Sequence, residues 1–300
     1  SFSGEDPGGW DHLRTRVLVA EEAGIDRVVC SDHVVYGERL DAYGDPRAGG
    51  VSGGRQPTGP DGHWLEPLAV LTWAAALTER VRLGTNILIA ALRRPAVLAK
   101  QVATLDVLSG GRVDLGVGVG WQREEYEAVG LPFERRGRLL DHTLAVCQTL
   151  WREPRAAYDD EHLRFEGIHQ MPKPPHPGGV PIWVSGRLNG AVVRRLARFG
   201  SGWIPWGEDA ANVVARIPEV KARLQALGRE DADRLQVVGS LPLLADRVTV
   251  DVAAAEPLVA AGVTDFRTPL RLIGEREADL DLAGRAVESF RRAFGPGPGP

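Results

Sequence analysis

The stretch SGGRVDLGVGVGWQREEYEAVG, Ser109 to Gly130, decides the fold. It runs from a glycine pair through a short apolar segment into Gly116, Gly118 and Gly120, and ends in a charged run of helical character. A dinucleotide-binding loop needs G-x-G-x-x-G at the turn from the first strand of a fold into its helix, so that a pyrophosphate rests on the helix N-terminus. Here Arg123 stands where the third glycine belongs, and two strand–helix units already precede the run. The Rossmann reading therefore falls behind two others. The glycines either let a strand end pack closely against its neighbours, or clear space for a flat ring at the C-terminal mouth of a parallel barrel, where barrel active sites lie.

The flanking sequence repeats the same alternation. Residues 10–23 read as an amphipathic helix closed by Gly24, and IDRVVC (25–30) supplies a β-branched run that ends at Ser31-Asp32-His33. Helices at 65–79, 95–108, 124–151, 191–199, 211–227, 252–261 and 280–293 alternate with strands VRLGTNILI, RVDLGVGV, VPIWVS, GWIPW, LQVVGSLPLL and VTDFRT. Seven strands at intervals of roughly 30 residues give the βα rhythm of a parallel sheet. An eight-stranded barrel needs one more, and its place is before the first helix. The reading expects that strand to be missing from the chain, or the barrel to close differently there.

Two segments depart from the rhythm. Residues 34–63 are dense in Gly and Pro with no apolar period, too long for an ordinary connection and suited to a lid or binding loop. Residues 152–179 hold an inserted hairpin around YDDEHLRFEG and the Pro-rich connector MPKPPHPGGVP. One domain over 1–294 is expected, with the tail 295–300 disordered by composition.

Bulk properties narrow the function. Lys plus Arg number 36 against 40 Asp plus Glu, a formal charge of −4, so no global field attracts nucleic acid. No apolar run reaches the length of a bilayer span and the N-terminus lacks a signal peptide's regions, so no membrane partner is expected. Cys30 and Cys147 follow no metal or disulfide spacing, which suits a reducing cytoplasm. His162, His169 and His176 lack helical ligand spacing, so no metal site is expected, and Walker, G-x-S-x-G and H-E-x-x-H motifs are absent.

SDH at a strand end, RVRLGTNIL, the run RRPAVLAKQVATLDVLSGGRVDLGVGVGWQREEYEAVGLPFERRG, and VPIWVSG leading to GSGWIPW together resemble the bacterial luciferase-like monooxygenase superfamily. More narrowly they are similar to its deazaflavin-dependent (coenzyme F-420) oxidoreductases. The resemblance covers most of the chain and is strongest over 65–141. It implies a (β/α)8 TIM barrel with inserted segments, often a homodimer.

The resemblance also implies roles. Asp32 and His33 contact the ring system and act in proton transfer; histidine as a residue type exchanges protons near neutrality. Asn86 and Ile87 are joined by a non-proline cis bond against the ring. Gly118, Gly120 and Trp121 lie at the fourth strand's mouth, with Glu124 as a polar ring contact. Some sugar-phosphate dehydrogenases of the group carry an acid where this chain has Trp121, a departure that argues against their particular acid–base chemistry and leaves the substrate open. Ser185, Gly186 and Arg187 sit in a strand-to-helix turn where a hydroxyl, backbone N–H groups and a guanidinium converge on a phosphate. Gly202 and Trp203 back that site. Arg39, Arg47 and Arg55 of the long loop are candidates for substrate or for a deazaflavin's acidic tail.

The expected activity is hydride transfer between the deazaflavin and a small organic substrate, the cofactor supplying the redox chemistry. The alternatives are a reduced-FMN monooxygenase on the same barrel and a flavin-binding barrel that does not catalyse. The forms GTNIL and GVGVGW, with an Arg-, Ala- and Gly-rich composition, lean toward the deazaflavin. The substrate's identity is not legible.

Overall fold

The computed structural model describes residues 2–295. Strand β1 (Phe2–Ser3) is followed by α1 (Asp11–Ala23), which Gly24 closes in the left-handed conformation at φ 84. Then come β2 (Arg27–Cys30), the long loop, and β3 (His63–Trp64). Helix α2 (Pro67–Ala75) starts with proline at its first turn, where a missing N–H costs nothing, and the Glu66 carboxylate accepts from Ala69 N at 2.7 Å. The alternation continues through β4 (Arg82–Thr85), α3 (Pro95–Leu108), β5 (Val113–Val117), α4 (Arg123–Ala128) and α5 (Arg136–Arg152). The inserted hairpin is β6 (Ala156–Asp159) with β7 (Arg164–Ile168). The rest is β8 (Ile182–Gly186), α6 (Gly190–Phe199), β9 (Gly200–Pro205), α7 (Glu208–Ala211), α8 (Val213–Ala226), β10 (Gln236–Ser240), α9 (Val252–Ala261), β11 (Asp265–Arg267) and α10 (Arg276–Phe294).

Seven strands form one parallel sheet in the spatial order β11-β10-β9-β8-β5-β4-β2. Each is joined to the next through a helix, the architecture of an α/β barrel. The sheet curls until its two ends meet: Arg27 on β2 pairs with Asp265 on β11, and α1 packs on α10 across the same gap. Among the described residues no strand fills the place between β11 and β2, so the sheet stays open there. The core lies between sheet and helices, with Leu83, Leu98, Leu115, Leu144, Val184 and Leu196 fully buried.

The barrel interior beneath the site is polar. Asp114 accepts from Arg27 Nε at 2.9 Å and Arg82 Nε at 2.7 Å, and Arg27 and Arg267 lie over the Trp183 ring. Buried guanidiniums of this kind persist when carboxylates and aromatic faces replace their water.

Two elements differ from the sequence reading. The chain opens on a short strand rather than a loop: β1 pairs antiparallel with β3, and Phe2 stacks on Trp64 at 4.4 Å, tying the N-terminus to the end of the long loop. The helices read across 124–151 are present as α4 and α5, with Gly130 (φ 72) and Pro132 between them. Strand β4 ends at Thr85, and the residues after it rejoin β5 only through a Leu88–Val117 bridge. Of the tail expected to be disordered, residues 296–300 lie outside the described residues.

Candidate active site

A cavity of about 300 Å³ opens at the C-terminal ends of the strands. Its floor and walls come from the residues just after β2 (Ser31–His33), after β4 (Asn86, Ile87, Ile89), after β5 (Gly118–Trp121) and at the end of β8 (Ser185, Gly186). The long loop covers it as a lid, contributing Tyr43, Gly49, Gln56 and Pro57. The volume and the mostly apolar lining suit a flat organic ligand.

Asp32 and His33 are adjacent but do different work. The Asp32 carboxylate, 4% exposed, accepts from Arg93 Nη1 at 2.7 Å, Arg93 Nη2 at 3.0 Å and the backbone N–H of Ile89 at 2.9 Å. It accepts three bonds and ties the β2 end to the segment after β4, the geometry of a supporting group. His33 lines the cavity, and its Nδ1 lies 3.3 Å from Glu125 Oε1, with Tyr36 and Trp64 packed on the ring at 4.5 and 4.7 Å between centroids. A carboxylate accepting from Nδ1–H leaves Nε2 as the nitrogen that exchanges a proton.

Glu125 was missed, while its neighbour Glu124, expected as a polar ring contact, does not line the cavity. Glu124 faces away from the cavity and pairs with Arg39 at 3.1 Å. Glu125 is wholly buried; its Oε1 also accepts from Val34 N at 2.8 Å, while Oε2 has no partner among the described residues. Gln122, equally buried, accepts from Gly37 N and donates to Val35 O, both at 2.9 Å. The start of α4 thus holds both His33 and the first residues of the lid. No spacing signal in WQREE separates the two glutamates.

The Asn86–Ile87 bond is cis, as the resemblance implies, and both residues line the cavity. The Asn86 amide is exposed and makes no hydrogen bond among the described residues, so it is free for a ligand. The glycines are tightly packed. A Cβ on Gly118 would lie 2.9 Å from Ile87 Cδ1, and one on Gly120 (φ 67) 3.0 Å from Ile89 Cδ1. Both glycines border the cavity beside these isoleucines, which also line it, so each glycine leaves room for an isoleucine at the cavity wall. Trp121 lines the cavity at 6% exposure, beside Tyr43 at 5.5 Å, and its indole N–H has no partner.

At the opposite end Ser185 and Gly186 line the cavity, and the Ser185 hydroxyl makes no hydrogen bond among the described residues. Arg187 lies outside it, donating to Pro46 O of the lid at 3.4 Å. The N-terminus of α6 is less available than expected: Asn189 Oδ1 caps Ala191 N and Val192 N at 2.9 and 3.0 Å, and Asp209 accepts from Leu188 N at 2.5 Å. Gly202 and Trp203 do not reach the cavity. A Cβ on Gly202 would meet the Trp183 ring at 2.4 Å, so this glycine is a spacer in the barrel interior. Trp203 is fully buried and donates to Gly186 O at 3.0 Å, supporting the strand end from behind. None of Arg39, Arg47 and Arg55 lines the cavity; Arg47 pairs with Asp45 at 3.2 Å.

Residues 2–287 match the family model for luciferase-like monooxygenases. The chain belongs to the luciferase-like monooxygenase family. Among curated relatives of this luciferase-like chain, an uncharacterized protein of Mycobacterium tuberculosis is 37% identical over 181 residues, a match spanning 60% of this chain and 63% of that protein. A protein of Kineococcus radiotolerans named F420-dependent glucose-6-phosphate dehydrogenase is 31% identical over 271 residues, 87% of this chain and 69% of that one. Among solved structures, the coenzyme F420 dependent tetrahydromethanopterin reductase of Methanopyrus kandleri superposes with a TM-score of 0.65 at 17% identity, covering 95% of this chain and 97% of that one. Monooxygenase RslO1 of Streptomyces bottropensis superposes with a TM-score of 0.60 at 21% identity, covering 96% and 83%. At these identities the structures speak for the shared fold. No helix among the described residues is long and apolar enough to cross a membrane.

Proposed function

We propose that this luciferase-like protein is an oxidoreductase that passes a hydride between a deazaflavin, coenzyme F-420, and an organic substrate. The observation that carries the reading is the cavity itself: an apolar slot at the strand ends, with the free Asn86 amide on one wall and His33, fixed through Nδ1 by Glu125, on another. The residues present fit such a group. Asn86, Ile87, Gly118, Gly120 and Trp121 would flank the ring, while the Ser185 hydroxyl, the backbone at Gly186 and the nearby Arg187 would hold the phosphate. When bound, the deazaflavin supplies two-electron hydride chemistry. The protein's part is to orient the ring, to exclude water under the lid, and to give or take a proton at His33 Nε2. Support comes also from relatives named as F420-dependent dehydrogenases.

The second reading is a monooxygenase using reduced FMN, favoured by neighbours with the same fold such as RslO1. Titration of the protein with coenzyme F-420 and with FMN, followed by visible absorbance and fluorescence, separates the two. Saturable binding of the deazaflavin in preference to FMN is expected. Binding of FMN alone overturns the first reading in favour of the second.

A further inference from the structure

The wall of the cavity formed by the lid and the β5 end is aromatic and uncharged. Tyr43 packs edge-on against Trp121 at 5.5 Å and against Trp206 at 6.2 Å, and Trp206 in turn donates to Gly49 O of the lid at 3.0 Å. Two neutral donors on this wall lack partners. The indole N–H of Trp121 is buried without a hydrogen bond, and the Tyr43 hydroxyl makes none among the described residues. Desolvation raises the Tyr43 pKa, so the phenol stays protonated and can only gain by donating. A buried N–H left without an acceptor is costly, so an acceptor brought by a ligand is rewarded at this position.

No lysine or arginine lines the cavity. Of the cations nearest the lid, Arg39 is paired with Glu124 and Arg47 with Asp45, while Arg187 lies at the far end, where the cofactor's phosphate is placed, away from the Tyr43–Trp121 wall. The nearest carboxylate, Asp32, already balances Arg93. A phosphate dianion moved into such a wall would lose its water and meet no compensating charge. Apolar rings, by contrast, gain from each aromatic face they cover.

Resting on the oxidoreductase reading, we propose that the substrate is a neutral, predominantly apolar molecule that presents one acceptor oxygen, a carbonyl or the corresponding alcohol, to Trp121 Nε1 and the Tyr43 hydroxyl, and that it is not a sugar phosphate. This separates the chain from what the names of its glucose-6-phosphate dehydrogenase relatives would suggest for it. Trp121 and Tyr43 become the residues that set specificity.

The test is a binding measurement on the whole protein, alone and saturated with coenzyme F-420, using intrinsic tryptophan fluorescence. The probes are a phenyl-substituted cyclohexanone and glucose 6-phosphate. The ketone is expected to bind saturably and glucose 6-phosphate to give no response. Trp121→Phe, which keeps an aromatic ring and removes the N–H, and Tyr43→Phe, a change in the lid that leaves the core untouched, should each weaken the ketone about fivefold to tenfold, the worth of one hydrogen bond. Tighter binding of glucose 6-phosphate than of the ketone, no ketone binding, or ketone binding indifferent to both substitutions overturns the proposal. A parallel absorbance titration with the deazaflavin keeps the two readings apart. Protein that takes the ketone but not the deazaflavin overturns the proposed activity and leaves the substrate class standing. Protein that takes the deazaflavin and prefers glucose 6-phosphate does the reverse.

Discussion

Replacing Arg93 by methionine tests whether Asp32 is a supporting group. The guanidinium supplies two of the three hydrogen bonds that Asp32 accepts, at 2.7 and 3.0 Å, and the third, from Ile89 N, cannot by itself stabilise a carboxylate that is 4% exposed. Removing one partner of a buried ion pair costs about 3–5 kcal/mol, because the remaining charge is left in a poor solvent. Against a total stability of about 5–15 kcal/mol, that is a large fraction of the fold's margin. Asp32→Asn should be milder, about 1–2 kcal/mol: the amide oxygen still accepts, and Arg93 keeps Glu66 at 2.8 Å as its counterion. The expected order is therefore wild type, then Asp32→Asn, then Arg93→Met, the last two separated by about 2 kcal/mol. Urea unfolding followed by tryptophan fluorescence measures it, with linear extrapolation to water and a check that the m-value is unchanged. An Arg93→Met protein within about 1 kcal/mol of wild type, or an Asp32→Asn protein less stable than Arg93→Met, would refute the supporting role and return Asp32 to the list of proton carriers.

Three further outcomes are expected. His33→Asn should lower turnover about a hundredfold to ten-thousandfold, the usual worth of a positioned acid–base group, while the deazaflavin affinity read by absorbance stays close to wild type. Gly202→Ala should destabilise the protein by about 1–3 kcal/mol, since its Cβ would press on the buried Trp183 ring at 2.4 Å; calorimetry should show the loss, and an unchanged cofactor titration should separate it from binding. The carboxyl of Asp246 is held at about 2, below its ordinary 3.8, first by the Thr249 hydroxyl and then by the amides of Thr249 and Val248. A folded-state pKa below the unfolded one means that the stabilisation is complete above pH 3.8 and is lost as the pH falls through about 2, so hydrogen exchange at Val248 and Thr249 should quicken in that window in wild type and not in Asp246→Asn.

The seven strands were legible because each is a short apolar run bounded by turn residues and set at βα spacing, a pattern that survives without any knowledge of contacts. Elements of two residues, such as β1 and β3, carry no period to read, and what makes them is the Phe2–Trp64 stack between distant parts of the chain. Around the cavity, Asn86, Ile87 and His33, chosen from strand-end position and family motif, are brought together at its lining. Glu124 and Glu125 show the limit of that reasoning. Successive residues on a helix point about 100° apart, so a shift of one position exchanges a solvent-facing salt bridge for the buried partner of His33. The cap at α6 was readable: Asn189 ahead of GAVV is an N-cap pattern, and a capped helix has fewer free N–H groups to offer a phosphate. Gly202 and the polar network around Asp114 depend on Trp183 and Arg27 arriving from other strands, which no local pattern encodes.

The hydrogen bonds at the start of α4 link two properties usually treated separately, the placement of the proton carrier and the closure of the lid. Glu125 Oε1 accepts at once from His33 Nδ1 and from Val34 N, and Gln122 bonds Val35 O and Gly37 N. The lid is therefore anchored through Gly37 by the same short helix that orients the imidazole. Beyond Gly37 the lid is tied on both sides of the mouth, with Arg39 paired to Glu124 of α4, Ala48 O accepting from Arg136, Gly49 O from Trp206 and Pro46 O from Arg187. Those bonds and the Tyr43–Trp121 contact hold the lid over the cavity, whereas His33 and Glu125 sit at its anchored end. On the proposed function, a site built this way would keep the acid–base geometry at His33 fixed on the scaffold and leave motion to the aromatic wall proposed to meet the substrate.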